Sequence, residues 1–150
     1  MARQPLGRLI SILHRREQRY VNQRLQEENL GFTAYNFILY LFDHQGCSQK
    51  ELCRALFIDE ALATRKVQQL ETEGYVRRVK EGRGYALFLT TKGIDILPQL
   101  QRILEDWWLA VLRDFHADET ELLLDQLEHM AKRAIQLTEH TDETKKQESR

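Results

Sequence analysis

One stretch of this chain breaks a helical period that otherwise runs through its folded length, and that break constrains the fold most. Residues Tyr75–Lys80 and Tyr85–Thr90 are rich in β-branched and aromatic side chains and are joined by Glu81-Gly82-Arg83-Gly84, the pattern of a hairpin with a basic tip. One hairpin among helices makes the chain mainly α with a small β wing. The 150 residues, 42% hydrophobic and 30% charged, suit a single globular domain. Two Pro and seven Gly favour helix over a β-rich or disordered chain.

Before the hairpin the spacing predicts four helices. From Leu6 to Gln26 the apolar residues Leu6, Leu9, Ile10, Leu13, Tyr20, Val21 and Leu25 make one stripe, with Arg8, Arg15, Arg16, Arg19 and Arg24 opposite. Gly31 ends this segment, Thr33 is read as the cap of a second, buried helix carrying Tyr35, Ile38, Leu39, Leu41 and Phe42, and Gly46 stops it. Ser48-Gln49-Lys50-Glu51 has the form of a capping box and opens a short third helix from Gln49 to Phe57. Asp59 caps a fourth, with Ala63, Val67 and Leu70 facing inward and Gly74 ending it. After the hairpin, Leu97, Leu100, Leu104, Trp107, Trp108, Val111, Leu112 and Phe115 share the face of a fifth helix. A sixth, capped by Asp118, carries Leu123, Leu127, Met130, Ala134 and Leu137, and the polar stretch from Thr138 to Arg150 is expected to fray.

Several classes of function are disfavoured. Cys47 and Cys53 are too few to staple a secreted fold, which points to a reducing cytoplasm. No apolar run approaches the roughly 20 residues of a membrane span, and the Arg-interrupted start from Met1 to Leu13 reads poorly as a secretory signal. The histidines His14, His44, His116, His129 and His140 are scattered, His44 with the two cysteines lacks a closed set of four metal ligands, and no phosphate loop or nucleophile elbow is present. No metal, no cofactor and no enzymatic activity is expected.

Two short helices joined by a tight turn and followed at once by a hairpin make a winged helix-turn-helix, whose second helix enters the major groove. Here the chain resembles the MarR family of transcriptional regulators in several residues in register. Ser48-Gln49-Lys50-Glu51-Leu52 is similar to the start of that family's third helix, Phe57-Ile58-Asp59 to its turn, and Thr64-Arg65 to the pair on its recognition helix. Leu70-Glu71-x-x-Gly74 with Val76-x-Arg78, and Leu89-Thr90-Thr91-Lys92-Gly93, match the helix end with first wing strand and the opening of the fifth helix. The similarity runs from about Leu6 to Leu137. Two departures stand out. Glu81-Gly82-Arg83 replaces the family's Asp-x-Arg on a shorter connection, so the wing should be stubby. Glu60-Ala61-Leu62 stands where the family often has small hydroxyl residues.

The formal charge of -1 hides an uneven distribution. Residues 1–47 hold six basic and four acidic residues, 48–92 nine and six, and 93–150 seven and thirteen. A basic centre and an acidic C-terminal section suit a chain with one face toward phosphate. Thr64, Arg65, Gln68 and Gln69 project away from the inward stripe of the fourth helix and are the base-reading candidates. Ser48, Gln49, Lys50, Lys66, Arg77, Arg78, Lys80 and Arg83 are candidates for phosphate or wing contacts, with Glu81 as partner of Arg83.

What else the resemblance implies is an effector pocket for small aromatic or lipophilic compounds, here His14, Tyr35, Tyr40, Trp107 and Trp108, and oxidant sensing at Cys47 and Cys53 if Lys50 or Arg54 lowers a thiol pKa. For both sets the ordinary alternative is a packed core. The organisation expected is a dimerisation helix in residues 1–30, a DNA-binding unit in 31–92, dimerisation helices in 93–137 and a tail in 138–150. The reading is a cytoplasmic repressor binding a pseudo-palindromic operator in double-stranded DNA as a homodimer through its first, fifth and sixth helices. The alternative is a winged-helix protein-interaction module without specific DNA binding, favoured by the acidic and apolar Glu60-Ala61-Leu62.

Overall fold

The computed structural model describes residues 5–148, with side chains to residue 139. Two compact units divide between Trp107 and Trp108. The first holds α1 (Leu6–Arg24), α2 (Phe32–Asp43), β1 (Cys47–Ser48), α3 (Gln49–Leu56), α4 (Glu60–Thr72), β2 (Val76–Glu81), β3 (Gly84–Leu89), α5 (Thr91–Asp95) and most of α6 (Leu97–Val111). The end of α6 and α7 (Ala117–Glu148) make up the second. Among the described residues no helix is long and apolar enough to cross a membrane.

The core of the first unit is one cluster. Val21 and Leu25 of α1, Tyr35, Phe37, Ile38 and Leu41 of α2, Leu52 of α3, Val67 and Leu70 of α4, Leu87 of β3 and Leu100 of α6 are all fully buried. Each such aliphatic or aromatic side chain contributes about 1.5–3 kcal/mol relative to exposure. The α1 stripe is split by this packing: its C-terminal half is buried, while Leu6, Leu9, Ile10 and Leu13 are 42–56% exposed. In the second unit Leu122, Leu124, Leu127, Met130 and Leu137 are likewise open to solvent.

Several expectations are corrected by the geometry. The cap of α2 is Gly31, not Thr33, because Asn22 Oδ1 on α1 accepts from the Phe32 amide at 2.8 Å and does the capping from a distance. The helix after the wing is two, α5 and α6: Pro98 cannot donate to residue 94, and its ring crowds that carbonyl. At α7 the helix starts at Ala117 and the His116 amide donates to Glu119, so Asp118 lies inside the first turn. The same helix continues to Glu148 instead of ending at Leu137. The sheet has a third strand: β1 pairs antiparallel with β3 through Cys47↔Leu87 and Ser48↔Ala86, in the order β1-β3-β2.

The recognition-helix candidate, α4, leaves through a left-handed turn. Gly74 has φ +84°, its amide donates to Glu71 O, and the Tyr75 amide donates to Leu70 O, the paired bonds of a Schellman turn. Phe57 does the same work after α3 with φ +53°, a strained choice for a side chain that is 68% exposed. Beyond the wing, Thr90 caps α5 by accepting from the Gly93 amide at 3.1 Å and donates its hydroxyl to Gly74 O. A Cβ at Gly93 would collide with the backbone carbonyl of Tyr75. Gly93→Ala should therefore destabilise the fold by about 1–3 kcal/mol, the range of overpacking. Urea melts giving an unchanged midpoint would show that this approach is not tight.

Candidate nucleic-acid interface

The helix starts are set by side chains with no apolar role. Ser48 Oγ accepts from the Glu51 amide at 3.1 Å, Glu51 Oε2 accepts from the Ser48 amide at 2.7 Å, and Asp59 Oδ1 accepts from the Leu62 amide at 2.7 Å. Ala63, Val67 and Leu70 anchor α4 in the core.

The four base-reading candidates then separate into two pairs. Thr64 lies on the flank toward α3, where its hydroxyl accepts from Gln49 Nε2 at 2.8 Å and donates to Glu60 O at 2.8 Å. Gln69 lies on the other flank, accepting from Lys66 Nζ and donating to Glu73 Oε1, both at 3.1 Å, with Asn29 Nδ2 donating to the same oxygen. Both flanks are tied down. Arg65 and Gln68 are exposed and, among the described residues, make no hydrogen bond or ion pair within the chain. Glu60, expected to bring negative charge to the front of the helix, instead lines a recess with Lys50, Cys53 and Arg54 on the α3 side.

The wing is short. Glu81 pairs with Gly84 across a two-residue turn, with φ +58° at Gly82 and no positive φ at Arg83, the type II′ pattern. Arg83 and Lys80 are exposed. Arg78, a phosphate candidate, faces the core side of the sheet with Val76 and Leu87; its Nε donates to Glu71 Oε2 of α4 at 2.7 Å and its guanidinium lies over the Tyr85 ring. Arg77 lies over Phe88 on the opposite face. The expected Glu81–Arg83 ion pair is absent among the described residues: the tight turn puts Arg83 at the tip, off the face that Glu81 shares with Val79 and Arg77. Ser48 and Gln49 are half-buried and engaged as described, whereas Lys50 is open at the start of α3.

Of the five proposed effector residues, His14 lines an opening in the first unit. An opening of about 460 Å³ lies between α1, α2 and α3, lined among others by His14, Gln18, Phe32, Asn36, Leu56 and Ile58. His14 meets the Phe32 ring edge-on at 5.4 Å, and Tyr35 lies behind Phe32 in the core. Tyr40 stacks on His44 and Trp107 packs on Tyr20, and Trp108 belongs to the second unit. Both cysteines are free thiols. Burial pushes Cys47 up, with Glu51 adding, and burial pushes Cys53 up, with Glu60 and Asp59 adding. The expected lowering by Lys50 or Arg54 is not found at either thiol. Among the described residues no three His, Cys, Asp or Glu converge as metal ligands. His140 lies outside the residues whose side chains are described.

Helices α2–α4 with the β1-β3-β2 sheet and its hairpin define a winged helix-turn-helix protein. A sequence profile of the MarR family matches residues 28–84. The transcriptional regulator SarZ of Staphylococcus haemolyticus is 30% identical over 121 residues, 77% of this chain and 80% of that one. A MarR transcriptional regulator from Methanosarcina mazei Go1 superposes with a TM-score of 0.86 at 28% identity, over 91% of this chain and 94% of its own. A MarR family regulator from Listeria monocytogenes, solved in complex with a 26mer DNA, superposes with a TM-score of 0.83 at 25% identity, over 87% and 89%. The chain belongs to the MarR family.

Tyr35 gives a test of the core beside the opening. Burial, with Glu17 adding, holds its phenol well above the ordinary value of 10, and its buried hydroxyl has no hydrogen-bond partner among the described residues. A phenol kept neutral in the fold but free to ionise in the unfolded chain makes stability fall as pH rises above about 10. Tyr35→Phe should therefore raise stability at pH 7 by about 1 kcal/mol, by removing an unsatisfied buried group, and should flatten the alkaline loss. An unchanged loss in urea melts between pH 9 and 11 would assign it to other groups.

Proposed function

We propose that this chain is a sequence-specific DNA-binding transcriptional regulator, a repressor that meets a pseudo-palindromic operator as a homodimer. The observation that carries the reading is α4, which presents Arg65 and Gln68 unengaged on its open face while Thr64 and Gln69 are bound within the chain. Arg pairs bidentately with guanine O6 and N7 and Gln with adenine N6 and N7, each good pair giving about 1–3 kcal/mol of discrimination. Lys50 supplies phosphate contact from the start of α3, and Arg83 reaches a minor groove from the wing tip. A family relative solved in complex with a 26mer DNA supports DNA binding by this chain. The open apolar stripes of α1 and α7 support self-association, since contiguous exposed patches of this kind mark interaction surfaces.

Duplexes enriched from a random pool should carry two half-sites with centres about 34–36 Å apart. Gel shifts on them should weaken linearly in log affinity against log salt. Arg65→Ala should flatten base preference at one position by about 1–3 kcal/mol, and Lys50→Ala should weaken all sequences alike with a shallower salt slope. Equal losses on every sequence for both variants would remove Arg65 from base reading. The opening beside His14 and Phe32 is the place for small-molecule control: a small aromatic or lipophilic compound filling it should shift both melting temperature and operator affinity. A panel that moves neither takes the opening out of regulation.

A further inference from the structure

The open face of α4 holds a third residue in line with Arg65 and Gln68. Ala61, Arg65, Gln68 and Thr72 fall at i, i+4, i+7 and i+11, all exposed and opposite the buried Ala63, Val67 and Leu70. Ala61 is in the first turn, the part of a recognition helix that comes nearest the base edges. The acidic residues before it are drawn aside: the Asp59 carboxylate accepts from the Leu62 amide, and Glu60 lies in the recess with Lys50 and Arg54. What α4 offers at its leading end is therefore a small apolar group.

The major-groove edge of DNA carries one apolar group, the C5-methyl of thymine. Resting on the DNA-binding reading above, we propose that Ala61 is a specificity-determining residue whose methyl packs on a thymine C5-methyl. One helical turn separates it from Arg65, about 6 Å along the axis, or about two base steps at 3.4 Å each. The half-site thus holds a thymine about two steps from the guanine read by Arg65. A larger side chain at 61 would hold the helix off the groove floor, and a polar one would meet no partner at that methyl.

The experiment uses the whole chain and the duplex enriched in the selection above. Each thymine of a half-site is replaced singly by deoxyuridine, which lacks only the methyl. The unmodified protein should bind about fourfold more weakly at one position, the burial of one methyl-sized group. Ala61→Gly should bind the thymine and uracil duplexes equally there while keeping the preference set by Arg65, and its melting temperature separates a folding defect from a lost contact. Indifference of the unmodified protein to uracil at every thymine overturns the proposal, as does a thymine preference that survives in Ala61→Gly. Failure to enrich any duplex overturns the DNA-binding reading and this inference with it, so the two failures are distinguishable.

Discussion

The junction between the end of α4 and the start of α5 is the constraint on which the rest of the DNA-facing unit depends. Gly74 turns the chain left-handed, the Tyr75 amide closes back on Leu70, and Tyr75 O accepts from the Thr90 amide at 3.1 Å while lying against the bare Cα of Gly93. Three elements meet within a few ångströms of one carbonyl. The direction in which α4 ends sets where β2 begins, and β2 returns through β3 to the same point. Lys92 closes the knot by donating to Glu73 O at 2.7 Å with its ammonium over the Tyr75 ring. The recognition helix and wing therefore behave as one piece, because moving either would strip hydrogen bonds from a half-buried junction where water replaces them poorly.

The polar bonds on the two flanks of α4 complete that rigidity. Gln49 to Thr64 ties it to α3, the Asn29–Glu73–Gln69–Lys66 chain ties it to the α1–α2 loop, and Arg78 to Glu71 ties it to the wing. Each bond is modest, about 0.5–1.5 kcal/mol, and somewhat more where charge is involved. Their joint effect is positional: base reading by bidentate pairs needs the helix held closely in place, and the residues that hold it are then unavailable for reading.

This division explains what was legible in the sequence. The four helices before the hairpin, the hairpin itself, the capping box at Ser48, the cap at Asp59, the turn at Gly74 and the inward stripe of α4 follow from spacing and local hydrogen bonding, and they stand in the structure. The Leu-Thr-x-x-Gly motif is legible as a resemblance, but its reason, a glycine against a carbonyl eighteen residues earlier, is a tertiary contact. So are the losses. Thr64, Gln69 and Arg78 look like free polar residues until α3, the α1–α2 loop and the wing are folded beside them, and Asn22 acts as a cap only because α1 returns past Phe32. Helical spacing likewise tells which face a ring is on but not which neighbour it meets, and Tyr40 stacks on His44 and Trp107 packs on Tyr20. Strand β1 is two residues long and carries no period at all.

The charge pattern reads differently once the internal pairs are removed. Residues 48–92 carry nine basic and six acidic side chains; Arg78 is neutralised by Glu71, while Lys92 keeps its charge and donates to the Glu73 carbonyl. Arg77 is held over Phe88, and Lys66 is turned to Gln69. Lys50, Arg54, Arg65, Lys80 and Arg83 make no side-chain hydrogen bond or ion pair among the described residues, and Arg54 shares its recess with Glu60. With nine basic against six acidic side chains the head carries only a modest positive excess, so the counterion-release contribution, which is blind to sequence, is limited. On the proposed reading, a head with limited non-specific attraction draws a larger share of its affinity from the groove, through the exposed row of α4 formed by Ala61, Arg65 and Gln68. The near-neutral charge of the whole chain and the narrow reading row are thus two sides of one arrangement, which favours discrimination over indiscriminate binding.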